Sequence, residues 1–332
     1  MPLDKRITGR LDAFFNLKNF TDIVTSLPKV QAPMTELLFP VSKRKTVTSP
    51  YISAKDIEDE TGAVPAVARG SKSYSVDGGK KRLDHIEVQP FSLNRHISGA
   101  ELNSLIAMGD VDGIDAKIAE VIENLRERTI RSTEILACMS LSGKIAYPIA
   151  VEGGVTDTYT VELGTPKSIA ASSLTTASKI GDLQTALENQ FFAQQATGAS
   201  SDVRFLAGSD VYAMIVNIIS SATGNVPVQW TDFGCTLFGK YKIMPVSGTY
   251  ALPGKTSATP IVDSKSIQSI DLTNTGKLFY AALDELDARL RPLPFFATYS
   301  EERDPSAIKV MSSSKPLPAF AVTKSVIKKY VA

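Results

Sequence analysis

The sequence predicts an α+β fold, with strand-rich segments towards both ends of the chain and helices concentrated in its middle. Three observations carry that prediction. A polar two-stranded hairpin is written around Asp77-Gly78-Gly79, a helical pattern runs from 112 to 141, and strands alternate with helices over 165–295. The 332 residues suffice for about two domains, or one elaborated domain, with a core that needs neither disulfides nor metals. At 43% apolar and 21% charged, the chain reads as neither a disordered polyelectrolyte nor a membrane protein. Its longest apolar runs, such as 211–219 with Asn217 inside it, fall short of the ~18 residues a membrane span requires. No apolar core follows the charged start at Met1–Arg6, so a cleaved export signal is not expected.

Residues 1–50 lack sustained periodicity and hold Pro2, Pro28, Pro33, Pro40 and Pro50. Short apolar clusters at Phe14–Phe15 and Leu37–Phe39 punctuate the stretch. It reads as an extended arm with one or two short helices, docking its apolar spots elsewhere. The acidic run Lys55–Glu60 reads as a solvated surface loop. Asp77-Gly78-Gly79 is then a strong tight-turn signal, because Asp and Gly tolerate positive φ at little cost. On its far side Ile86 and Val88 alternate with His85, Glu87 and Gln89, the pattern of a half-buried strand. On its near side Arg69–Ser75 offers almost no apolar face. Such a hairpin is marginal alone in water, and nothing local supplies a surface for it, which points to a partner.

Ser98–Glu101 has the form of a capping box opening a short helix through about Met108. Asp110, Asp112 and Asp115 complement the dipole at the start of the helix at 112–141. Ile114, Ile118, Val121 and Leu125 share one face, Leu136 and Met139 continue it beyond a polar stretch, and Glu127 and Arg131 make an i,i+4 pair. Gly143 ends this rod, whose roughly thirty residues span about 45 Å. A second hairpin covers Tyr147–Val151 and Val155–Leu163 around a turn at Glu152–Gly154. Asp182 then caps a helix bearing Leu183, Leu187 and Phe191, closed by Gly198. The strand Val203–Ala207 feeds through Gly208 and Ser209 into a helix at 210–221, and another strand covers Tyr241–Val246. Strand-like segments return at Ile308–Met311 and Ala319–Val322.

Reactive side chains are scarce. There are two Cys (Cys138, Cys235), two His (His85, His96) and one Trp (Trp230), too few for a disulfide framework or a four-ligand zinc site. Both cysteines read as small core residues, and both histidines as polar or half-buried structural ones. Gly254-Lys255-Thr256 imitates the end of a phosphate-binding loop, but position 249 is Thr and the following residues start no helix. No Gly-x-Ser-x-Gly elbow occurs, so a hydrolase rests only on His85, His96 and the many serines. Charge is segregated, at +4 for residues 1–50, +5 for 305–332 and about −8 between them. Basic ends around an acidic body suit a polyanion or a neighbouring subunit, and equally fit ordinary solvated charge.

Taken in order, these parts resemble the major capsid proteins of tailed phages, particularly the lambda-type capsid protein E family. The resemblance rests on Ala68–Ser71 leading to Ile86–Gln89, on Leu141–Lys144 at the rod's end, and on the closing run through Glu302–Pro305, Ser314–Pro318 and Val331. It covers nearly the whole chain. It implies a Hong-Kong-97-type capsid fold with an N-terminal arm (1–45), an extended loop (46–95), a peripheral domain on the spine helix (96–164 and 296–332) and an axial domain (165–295). It implies a non-enzymatic protein, without cofactor, metal or membrane, that is assembled in the host cytoplasm. Copies would form the hexamers and pentamers of an icosahedral head around double-stranded DNA contacted non-specifically. Separate scaffold, portal and decoration proteins are the further partners, since the chain has no long helical scaffolding region at its start. Arg69, Lys72, Tyr74, Lys80, Lys81 and Arg82 of the loop become candidates for inter-subunit contact. Lys5, Arg6 and Arg10 of the arm become candidates for facing DNA. The fold's namesake joins a loop Lys to a neighbour's Asn, but no Asn follows Asn274 here, so no crosslink through the C-terminal strands is expected. An encapsulin-like shell holding protein cargo, or an unrelated cytoplasmic hydrolase, are the alternatives.

Overall fold

The computed structural model describes Phe15 and residues 30–53, 85–107, 111–150, 156–198, 200–224, 226–304 and 306–330. The apolar cluster at 37–39 becomes the end of helix α1 (Pro33–Leu38), with Leu38 and Phe39 fully buried. Proline at its first position suits a helix start, where no N–H bond is lost. Four short strands follow: β1 (Arg44–Val47), β2 (Tyr51–Ser53), β3 (His85–Glu87) and β4 (Phe91–Ser98). Helix α2 (Gly99–Ala107) opens on the expected capping box. The Ser98 N–H donates to Glu101 Oε2 at 3.0 Å, and the Glu101 N–H donates to Ser98 Oγ at 3.3 Å.

The rod is helix α3 (Val111–Ser140), thirty residues long. Its front face, Ile114, Ile118, Val121 and Leu125, packs on Ile97, Ile308 and Val310. Its rear face splits between two clusters. Leu136 and Met139 meet Phe279 and Leu317, while Ala137, Cys138 and Leu141 meet Leu38, Leu206 and Leu278. The polar stretch between them is solvated at Arg128 and Arg131 but not throughout. Thr129 and Thr133 are buried, each hydroxyl donating at 2.9 Å to the carbonyl one turn back, of Leu125 and Thr129. Gly143 turns the chain at φ +86°, where an added Cβ would lie 2.0 Å from the Gly164 carbonyl oxygen, so only glycine fits.

Strands β5 (Lys144–Ala150) and β6 (Thr156–Glu162) form the second hairpin, with Ile145 and Val161 buried. Then come β7 (Lys167–Ser172), α4 (Ile180–Gln195), β8 (Val203–Ala207) and α5 (Ser209–Ser221). Asp182 serves α4 from within its first turn, accepting from the Lys179 N–H at 3.0 Å, rather than preceding it. The chain continues through β9 (Val228–Thr231), β10 (Gly234–Leu237), β11 (Tyr241–Pro245), β12 (Thr249–Ala251), β13 (Ala258–Pro260), β14 (Ser266–Asp271) and β15 (Gly276–Ala281). It closes with β16 (Phe296–Arg303), β17 (Ser306–Ser314), β18 (Pro316–Phe320) and β19 (Val326–Tyr330).

These strands make a mixed seven-stranded sheet of order β7-β19-β14-β8-β11-β10-β9 and two three-stranded sheets, β1-β15-β18 and β16-β17-β4. Helices α4 and α5 cover one face of the large sheet through Leu187, Ile215 and Phe205. Leu206 points to the other face, against α1 and the end of α3. The hairpin expected around Asp77–Gly79 lies outside the described residues, among which His85–Glu87 pairs antiparallel with Tyr51–Ser53. The C-terminal β19 lies between β7 and β14 in the large sheet, while β18 pairs with β15, and β16 and β17 form a sheet with β4.

Candidate functional site

The loop residues Arg69, Lys72, Tyr74, Lys80, Lys81 and Arg82, and the arm residues Lys5, Arg6 and Arg10, lie outside the described residues. What is described is the root from which the loop departs. In β2 and β3, Ile52 stands opposite Ile86, flanked by the pairs Tyr51–Glu87 and Ser53–His85. Ile52 and Val88 are buried in the cluster that also holds Leu136, Ile145, Phe279 and Leu317. The Val88 N–H donates to the Pro50 carbonyl and the Ala282 N–H to the Ser49 carbonyl, both at 3.3 Å. Both ends of residues 54–84 are therefore fastened side by side to the core under the rod helix. Phe15 of the arm is likewise anchored, its ring 5.1 Å from that of Tyr299.

The scarce reactive groups are placed unlike catalytic ones. His85 and His96 are both exposed, and they belong to different sheets. His96 Nε2 lies 3.1 Å from Glu302 Oε2, and Lys309 Nζ lies 3.3 Å from Glu302 Oε1. The hydrogen bond from Lys309, aided by His96, holds the Glu302 carboxyl below the usual carboxylate range. This is a cross-strand charge cluster on β16, β17 and β4. Cys138 and Cys235 are both buried. Burial, with a smaller contribution from Glu134, pushes the Cys138 thiol up to about 12, and burial also raises that of Cys235. A nucleophilic cysteine requires the opposite shift. Gly254 lies between β12 and β13 at φ +75°, with open space around its Cα, as expected of a surface loop.

Four of the exposed apolar side chains sit at or beside connections between strands. Trp230 (55% exposed) and Phe233 (76%) flank the turn between β9 and β10, at the edge of the large sheet. Leu286 (83%) and Leu290 (54%) project beyond β15 on a segment where Arg289 and Leu290 both take φ +54°. Large aromatics on a turn that ordinarily favours small polar residues are contact material. The one sequence signal for this is the run Trp230–Phe233 immediately before Gly234, which matches no catalytic or binding motif.

The arrangement is a rod helix that joins a three-stranded sheet to an α/β layer, with the two ends of residues 54–84 rooted beside the rod. It is similar to the putative capsid protein of a prophage from E. coli CFT073, at 16% identity and TM-score 0.61, covering 95% of this chain and 98% of that one. It is also similar to a phage-related protein from Bordetella bronchiseptica RB50, at 11% identity and TM-score 0.50, covering 93% and 95%. The fold is thus the Hong-Kong-97-type capsid fold. No curated protein sequence matches the chain. The sequence model described as phage major capsid protein E matches residues 16–329, and the chain belongs to that family. It is a structural protein of the phage head shell and not an enzyme, and its place is the virion capsid, where it works as many copies of itself. Among the described residues, no helix is long and apolar enough to cross a membrane.

Proposed function

We propose that copies assemble into hexamers and pentamers by laying the extended loop of one subunit, residues 46–95, across the next. Arg69, Lys72, Tyr74, Lys80, Lys81 and Arg82 make contact there. The other bodies are the arm (1–45), the peripheral domain (96–164 and 296–332) and the axial domain (165–295). The observation that carries this reading is the root at β2 and β3. Three residue pairs, one side buried on the core, support residues 54–84, within which Arg69–Ser75 supplies almost no apolar face of its own. A ribbon of that composition gains stability by lying on a second surface. Such contacts are heterologous and close into rings about the capsomer axis.

The arm's Lys5, Arg6 and Arg10 face the packaged double-stranded DNA, which they meet through its phosphates without reading sequence. A separate scaffold protein guides assembly, a portal occupies one vertex, and a decoration protein supplements non-covalent burial. Deleting Ser71–Lys81 tests the main claim. The variant should fold, by circular dichroism, and form no closed shells; intact particles in micrographs would reject the loop's role. Neutralising Lys5, Arg6 and Arg10 should change the salt sensitivity of filled particles and leave subunit folding alone.

A further inference from the structure

A groove of about 380 Å³ opens where β1, the start of β15 and the end of β18 meet. Phe279 and Phe320 give it an apolar floor, and Lys43, Lys45, Lys277 and Lys324 line it, with no carboxylate among its described lining residues. Lys43 is part of the wall. Its Nζ donates to the Leu272 carbonyl and, at 2.8 Å, to Thr275 Oγ1. Lys45, by contrast, stands exposed on an edge strand. A concave surface of one charge sign selects an anionic partner, and an apolar floor favours one that also carries an apolar side chain.

The densest acidic run of the sequence has that composition: Asp56, Glu58, Asp59 and Glu60 surround Ile57. We propose that this run of one copy docks in the groove of a neighbouring copy, its carboxylates meeting the lysines and Ile57 the phenylalanine floor. The register of the small sheet favours a neighbour over the same chain. β1 runs from Arg44 opposite Leu278 to Val47 opposite Ala281, and Ser49 then accepts from the Ala282 N–H. The chain thus leaves by the end of the sheet remote from Gly276 and the groove. β2 then commits residues 51–53 to pairing with 85–87. Run and groove are different segments of the chain, so a contact between copies repeats head to tail and suits a ring. The inference rests on the reading that the extended loop reaches a neighbour, and it assigns the loop's acidic root to a defined seat.

A charge swap tests it. Lys45→Glu with Lys324→Glu should lower the yield of closed particles about tenfold or more, as should Asp56→Lys with Glu58→Lys, while the circular dichroism of the subunit is kept. Combining all four changes should restore assembly. Wild-type yield from either pair, or no rescue in the folded quadruple variant, would overturn the proposal. So would full shell yield with impaired DNA retention in the Lys45/Lys324 variant, since the groove would then serve phosphates. In a second arm, differently tagged Lys45→Cys and Glu58→Cys chains are co-assembled and oxidised. The native Cys138 and Cys235 are buried, so background is low. A disulfide between the two tags is expected, and its absence contradicts a contact between copies. The two readings fail separately. Shells surviving loss of Ser71–Lys81 reject the loop's role, whereas shells lost there yet indifferent to charge reversal reject only the docking.

Discussion

Replacing Gln190 by leucine tests how the C-terminal strand is held between β7 and β14 of the large sheet. Gln190 and Gln194 of α4 are fully buried above β19 and β14. Gln190 Nε2 donates to the Ile267 carbonyl at 3.1 Å and the Val326 carbonyl at 3.2 Å, and its Oε1 accepts from the Tyr330 hydroxyl at 3.3 Å. Gln194 Nε2 donates to the Lys324 carbonyl at 2.6 Å, while its Oε1 accepts from Ser269 Oγ at 2.9 Å. One helix thereby brackets β14 and the start of β19 through side-chain amides. Gln190→Leu keeps the volume and removes three hydrogen bonds, each contributing about 1 kcal/mol net. It also strands the Tyr330 hydroxyl, on a residue only 1% exposed, whose burial already raises its pKa. The expected loss is about 3 kcal/mol, read as a lower urea midpoint of the unassembled subunit by circular dichroism. Tyr330→Phe alone should cost about 1 kcal/mol. Added to Gln190→Leu it removes the stranded hydroxyl, so the double variant should cost about 1 kcal/mol less than the sum of the singles. A single-variant cost well below about 1 kcal/mol, or strict additivity, would refute the bracket.

Three further expectations can be checked in the same unassembled subunit. Gly143→Ala should destabilise by about 3 kcal/mol or more in urea titration, because positive φ and a 2.0 Å approach to the Gly164 carbonyl oxygen act together. Glu134→Ala should loosen α1, whose Met34 and Thr35 N–H groups donate to the Glu134 carboxylate at 2.7 and 2.8 Å. About 1–2 kcal/mol and faster proteolysis near residue 33 are expected. Asp271 concerns pH: burial pushes its carboxyl up, but hydrogen bonds from Thr273, Asn274 and the Asp202 N–H outweigh that and hold it well below the usual range. Its stabilisation is complete above the unfolded value of about 4 and is lost as pH falls below it, so Asp271→Asn should flatten the acid limb of stability and lower the plateau at pH 7.

Local signals were legible in the sequence wherever structure is decided by near neighbours. The Ser98–Glu101 box, the rod's apolar faces, the Gly143 stop and the strand at Val203–Ala207 follow from spacing and capping alone. The burial of Thr129 and Thr133 was not legible, because a hydroxyl satisfied by its own helix hides its polarity from any composition count. Nor was the insertion of Val326–Tyr330 between β7 and β14, since strand order is settled by partners more than fifty residues away. The site was read least completely. The loop and arm candidates follow from charge and turn chemistry, and the exposed Trp230 and Phe233 belong to one local turn, whereas the lysine groove emerges only when distant segments are brought together in three dimensions.

Electron microscopy of the protein expressed with and without a candidate scaffold protein tests the central claim most directly. The account predicts closed, isometric particles tens of nanometres wide in the presence of scaffold, with capsomers of six and five copies resolved in their walls. A subunit that stays a monomer or a fixed oligomer of a few copies under those conditions would contradict it.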